Sequence, residues 1–286
     1  GEVQTTFDEY DVVYITPVMR HWPPSQFWSV EMIIAQHKQP GISVTDHTFE
    51  VPLVHGDPAR GTLTIFGREL VAIDGETDDL PYLVYIQGGP GFESPRPSTR
   101  SGWIGKALDE FRVLLVDQRG TGRSSPITDR VLIGLGSTEV QAEYLSHFRA
   151  DAIVDDLECI RRDLIGAETP WSILGQSFGG FCGLTYLSRA PEGLSAALFT
   201  GGLAPLKGHA DEVYRATYKR VLTRNKRYFA RYPMDAERIE TIVTFLEKHQ
   251  VSLPSGTSLT PRVLSQLGIL LGAHDGVGEP AKRRSE

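Results

Sequence analysis

Apolar and polar positions alternate through residues 44–72, with Phe49, Val51 and Leu53 followed by Leu63, Ile65, Phe66 and Leu70. A period of two places one set of side chains on one face of an extended chain, so this stretch predicts the antiparallel strands that open a sheet. Downstream the apolar positions gather into short unbroken runs at residues 83–86, 113–116, 171–174 and 194–200. Runs of that kind suit strands covered on both faces and predict a parallel sheet. Between them a short helix is expected near residues 103–110, and Thr138-x-x-Gln141 reads as a capping box. It would open a helix carrying Tyr144, Leu145, Phe148, Val154, Leu157, Ile160 and Leu164 at helical spacing. After Thr200 the pattern changes: Gly201-Gly202 breaks the strand, and from Asp211 the chain is charged and aromatic, through Val213, Tyr214, Tyr218, Val221, Leu222, Tyr228, Phe229 and Tyr232. A second helix is expected over residues 236–249, and Thr260-Pro261 opens a third with Val263, Leu264, Leu267, Ile269 and Leu270. Residues 1–40, aromatic and proline-rich (Tyr10, Tyr14, Trp22, Phe27, Trp28), show no clear period and read as an extension whose order the pattern leaves open.

Composition narrows the class without choosing within it. At 286 residues, with 40% hydrophobic and 23% charged positions, the chain can bury a full single-domain core. Its net charge of −7 argues against nucleic acid or an anionic membrane as partner. No apolar run approaches the length that crosses a bilayer, and the acidic start (Glu2, Asp8, Glu9, Asp11) is the wrong chemistry for a signal peptide, so the expected location is cytoplasmic. Cys159 and Cys182 read as small buried thiols rather than a disulfide, and neither sits in a set of residues that suggests a metal.

The chemistry lies where apolar runs end. The run at 171–174 leads into Gly175-x-Ser177-x-Gly179 and then a helix, the sequence form of a nucleophile elbow, with Ser177 as the attacking hydroxyl. The strand-to-helix turn is tight enough that a Cβ at Gly175 or Gly179 would strike neighbouring backbone, and the helix aims its N-terminal amides at the reaction centre. In a chain with 29 glycines the motif needs context. The run at 83–86 ends in Gln87-Gly88-Gly89-Pro90-Gly91, where side chains give way to backbone amides. The Gly89 and Phe178 N–H groups are assigned to the oxyanion on that basis, an ordinary Gly-Pro turn being the alternative. Val113–Val116 likewise ends in a polar loop whose Asp117 and Arg119 are read as structural ties. Gly120-x-Gly122 lacks the third glycine and the acid of a dinucleotide site.

Gln87-Gly-Gly-Pro-Gly91, Asp117-Gln-Arg-Gly-Thr-Gly-Arg-Ser124 and Gly175-Gln-Ser-Phe-Gly-Gly180, in this order and spacing, resemble the proline iminopeptidase family of α/β-hydrolases over about residues 45–270. The glutamine before Gly88 and the following Phe92-Glu-Ser-Pro-Arg-Pro97 are similar to the longer bacterial members, whereas shorter ones carry histidine there. The resemblance implies an α/β-hydrolase fold, a mostly parallel doubly wound sheet with a helical cap. It divides the chain into an extension (1–40), a hydrolase core (41–206) and an incomplete cap (207–286). It also implies hydrolysis of an N-terminal proline from a peptide through an acyl-enzyme on Ser177, without a cofactor. The cap would recognise the free imino terminus, with Glu212 as the acid meeting it; a solvated acid in the first turn of a helix is the alternative.

The triad of such a fold runs Ser, acid, His, with the last two on loops beyond two further strands. No such strands are expected after the cap, and His209, His249 and His274 each read as surface or helix-end residues. The triad acid and base are therefore unassigned. The expectation is a chain lacking its carboxyl-terminal strands, inactive by itself, with an uncovered sheet edge after residues 194–200. Another, esterase-like hydrolase and a non-catalytic hydrolase-like fragment are the competing readings. Oligomeric state is left open.

Overall fold

Among the described residues eight strands form one sheet: β1 (Val13–Ile15), β2 (Glu31–Gln39), β3 (Ile42–Pro52), β4 (Thr62–Ala72), β5 (Tyr82–Ile86), β6 (Arg112–Val116), β7 (Trp171–Gln176) and β8 (Leu194–Thr200), in the spatial order β1-β8-β7-β5-β6-β4-β3-β2. The computed structural model describes residues 13–15, 31–76, 78–203, 208–254 and 256–268. The chain divides into two compact units, Gly1–Ala204 and Pro205–Glu286.

The two periodicities sort as their physics requires. β3 and β4, the alternating stretch, pair antiparallel in continuous register from Ile42↔Ala72 to Pro52↔Thr62. The unbroken runs become the parallel strands β6, β5, β7 and β8. Their central residues are apolar because both faces are covered there, whereas Arg112, Ser172, Gln176 and Ser195 stand at or near the strand ends. Val84, Ile86, Leu114 and Val116 pack on one side with helices α4 (Ala150–Ile165) and α5 (Phe178–Arg189). Tyr85, Val113 and Leu115 pack on the other with Ile104 and Leu108 of and beside helix α1 (Gly102–Ala107).

Three local expectations change. The helix foreseen from Thr138 is two helices, α3 (Thr138–Ser146) and α4, with α2 (Asp129–Gly134) before them. The cap of α3 is Ser137, which accepts from the Val140 amide, and Gln141 donates to the Gly136 carbonyl instead of completing a capping box at Thr138. The chain can break after α3 because the buried Arg119 guanidinium donates to the His147 carbonyl at 2.8 Å, supplying a partner the lost helical turn would have provided. Second, residues 1–40 contribute β1 and β2. β2 was hidden because Met32, Ile33 and Ile34 are consecutive and exposed on an outer strand, where no core sorts faces, and a register shift falls between Ile33 and Ala35. Third, the edge of β8 is not bare: β1 lies antiparallel along it, Val13↔Phe199 to Ile15↔Ala197. An unpaired edge offers a row of amides and carbonyls to any extended segment within reach.

The described residues of the second unit form α6 (Ala210–Arg231), α7 (Asp235–Lys248) and α8 (Pro261–Ser265), with an antiparallel bridge between Ser252 and Ser258 before α8. Tyr228 donates to Asp235 at 2.7 Å, tying the end of α6 to the start of α7. Thr260 caps α8 by accepting from the Val263 amide, the role its sequence position foretold, whereas Ile269 and Leu270 lie outside the described residues.

Candidate active site

Ser177 stands between β7 and α5 with φ 53° and ψ −116°, one of two non-glycine residues with positive φ among those described. A side chain there is held against its backbone preference, at a cost of about 1–3 kcal/mol, so the surroundings must impose it. They do so through backbone packed on backbone. A Cβ on Gly175 would lie 2.5 Å from the Gly179 carbonyl oxygen. One on Gly179 would run into the Ile86 carbonyl, one on Gly180 into the Gly202 carbonyl, and one on Gly202 into the Ser177 carbonyl. The Ser177 amide donates to the Thr200 carbonyl at 3.0 Å, anchoring the turn to the end of β8.

The glycine loop after β5 closes on the same point. A Cβ on Gly88 would lie 2.9 Å from the Ser177 Cβ and 2.5 Å from Gln176 Oε1, so the backbone of Gly88 occupies the space beside the serine that a side chain would take. Gly89 and Gly91 both have positive φ, 130° and 102°, and the Gly89-Pro90 peptide is cis. Phe178, the first residue of α5, is half-buried and its ring stacks on Phe181 with centroids 6.1 Å apart.

Asp117 and Arg119 act on the loops around this point. Asp117 is fully buried and accepts from the Ser94 and Arg123 amides, each at 2.9 Å, and from Arg96. A Cβ on Gly122 would strike its carboxylate, so that glycine serves the turn and not a phosphate. Arg119 pairs with Asp156 and donates to the carbonyls of Pro52, Leu53 and His147, joining β3, the end of α3 and α4 under the loop.

The remaining expected residues are not brought to Ser177 by any contact within their unit. Glu212 lies in the second unit, in the first turn of α6, where its carboxylate occupies the space a Cβ on Gly208 would need. His209 caps α6 by accepting from the Asp211 amide at 3.4 Å, and the His249 ring stacks on Phe245 at 4.2 Å. His274 lies outside the described residues. Within the first unit His47 is bonded to Glu69 and His55 to Asp156. Burial pushes the Cys182 thiol up to about 12, which leaves it protonated and inert at neutral pH. Among the described residues no group of His, Cys, Asp and Glu is arranged to hold a metal ion, and no helix is long and apolar enough to cross a membrane.

Sequence reasoning passed over Gln87 and Ser94. Both stood in segments that resemble the longer bacterial members, but neither was given a role: the Ser94 tie to Asp117 spans 23 residues and leaves no local signal.

Similarity to known proteins follows this geometry. A proline iminopeptidase of Aeromonas sobria is 53% identical over 234 residues, 82% of this chain and 55% of that protein. Proline iminopeptidase aneH of Aspergillus aculeatus is 38% identical over 248 residues, covering 84% and 55% respectively. The chain thus spans about half the length of the curated relatives it matches. Among solved structures, the 2-hydroxy-6-oxo-6-phenylhexa-2,4-dienoate hydrolase BphD from Rhodococcus aligns over 58% of this chain and 50% of its own, at 19% identity and a TM-score of 0.37. The family description alpha/beta hydrolase fold matches residues 81–262. That span includes β5 with its glycine loop and β7 with its elbow, and the chain belongs to the α/β-hydrolase fold family.

Proposed function

We propose that the protein is a serine aminopeptidase that removes an N-terminal proline from peptides. Ser177 Oγ attacks the carbonyl carbon of the prolyl residue, the Gly89 and Phe178 amides donate to the oxyanion that develops, the leaving amine departs with a proton, and water releases proline from the acyl-enzyme. The first unit, strands β1 and β2 included, is read as the hydrolase core and the second as the cap, with Glu212 as the acid that recognises the cationic imino terminus. The triad acid and base carry no assignment. One observation supports the reading above the rest: a serine held at positive φ with the Gly88 backbone against it, in a chain 53% identical over 234 residues to a proline iminopeptidase.

The test compares proline p-nitroanilide with p-nitrophenyl acetate, alongside fluorophosphonate labelling read by peptide mass. Expected are label on Ser177, little release of proline by residues 1–286 alone, recovery of release when a family-type carboxyl-terminal segment is appended, and loss of both label and release in Ser177→Ala with the fold retained. Ester cleavage outrunning arylamide cleavage at the same serine would make the protein an esterase. A label elsewhere would remove Ser177 from the mechanism.

A further inference from the structure

The glycine loop is closed by one neutral side chain. The Gln87 Oε1 accepts from the Gly88 amide and from the Tyr85 hydroxyl, both at 2.9 Å. Its Nε2 donates to the Glu93 carbonyl at 3.0 Å, and its own carbonyl accepts from Gln118 Nε2 at 2.8 Å. The carboxamide therefore bridges the two ends of residues 88–93. That segment holds Gly89 and Gly91, whose positive φ values leave the backbone few preferences of its own. Pro90 fixes its own φ, but the glycines on either side of it leave the Gly89 amide free to turn, and a cross-link at the ends of the segment limits that freedom. Immediately beyond, Ser94 is held by Asp117 through its amide at 2.9 Å and by the Val116 carbonyl through its hydroxyl at 2.6 Å. The Gly88 amide is engaged by Gln87, which leaves Gly89 as the next donor along a backbone already packed on Ser177.

We propose that Gln87 is the positioning residue of this loop, setting where the Gly89 amide stands relative to Ser177. The inference rests on the reading of Ser177 as nucleophile and Gly89 as oxyanion donor. It needs an acceptor and a donor on one side chain, since Oε1 serves Gly88 while Nε2 serves Glu93. Methionine keeps the length and loses both functions. Glutamate keeps the acceptor and sets a second oxygen against the Glu93 carbonyl.

The test places Gln87→Met, Gln87→Glu and Ser177→Ala in the 286-residue chain for exchange, and in the same chain carrying a family-type carboxyl-terminal segment for turnover. Hydrogen exchange followed by mass spectrometry should quicken over residues 87–94 in Gln87→Met, less so in Gln87→Glu, and stay unchanged across β7 and α5. On proline p-nitroanilide, Gln87→Met should lower kcat about ten- to a hundredfold with KM within about twofold, because a displaced donor weakens transition-state contacts and leaves ground-state binding alone. Gln87→Glu should fall between. Unchanged exchange over 87–94, or a rise in KM at constant kcat, overturns the proposal. Turnover surviving in Ser177→Ala marks failure of the underlying reading instead; the exchange data then decide whether Gln87 closes the loop, as they do if the wild-type chain shows no turnover.

Discussion

At the scale of single residues the elbow is a problem of excluded volume. Ser177 keeps a positive φ because four glycines around it let main chain meet main chain, and each missing Cβ has a named backbone obstacle. Gly179 is the clearest: its Cβ would fall on the Ile86 carbonyl at the end of β5, a strand hydrogen-bonded on both sides and unable to give way. Gly179→Ala is accordingly expected to destabilise by about 1–3 kcal/mol as the helix start is pushed from the strand, and to lower Ser177 labelling with it. Urea denaturation checks the first effect and the fluorophosphonate rate the second. Wild-type values for both would mean the turn has slack that the geometry denies.

At the scale of elements, buried charge joins what hydrophobic contact alone would leave free to slide. Glu158 of α4 accepts from Arg161 at 2.8 Å and from the Tyr186 hydroxyl of α5, which itself accepts from Trp171 Nε1 of β7 at 3.0 Å. Arg161 also donates to the carbonyls of Ala167 and Thr169 in the loop before β7. Burial opposes the Glu158 charge, but hydrogen bonds from Arg161 and Tyr186 with the charges of Arg161 and Arg162 outweigh it and hold the carboxyl below its ordinary value. Glu69 behaves alike, burial being outweighed by His47 and Arg112. A carboxyl depressed by folding adds stability that is fully present above its unfolded value, about 4.3, and disappears as pH falls through the folded one. Stability should therefore be flat through neutrality and drop below about pH 4.3. Glu158→Gln strands a guanidinium that is almost wholly buried and should cost about 3 kcal/mol or more at pH 7, with a shallower acid limb in denaturation measured from pH 7 to pH 3.

At the scale of the whole sheet, the edges govern solubility. β8 is covered over Ala197–Phe199 by a three-residue strand from far earlier in the chain. The opposite border, β2, carries Met32, Ile33 and Ile34 in the open. Tyr14→Pro with Ile15→Pro removes two adjacent amides, one of which must face β8, and should release β1 and expose the β8 edge to other copies. Light scattering should then show concentration-dependent association beyond that of the wild type, and an unchanged mass would mean that β1 does not guard the edge.

The strands β3 to β8, the elbow and the glycine loop were legible in the chain itself, because each leaves a local mark: period two where one face is buried, unbroken apolar runs where both are, and glycine where a Cβ has no room. The break before α4 and the edge strands β1 and β2 left no such mark. They depend on Arg119 reaching the His147 carbonyl 28 residues away, and on pairing with segments distant in sequence. The clasp of Gln87 on Glu93 and the hold of Asp117 on Ser94 belong with them. Periodicity records which side of a segment faces the core. Which polar group meets which is settled only when the segments are brought together, since a hydrogen bond between distant residues constrains neither one's neighbours.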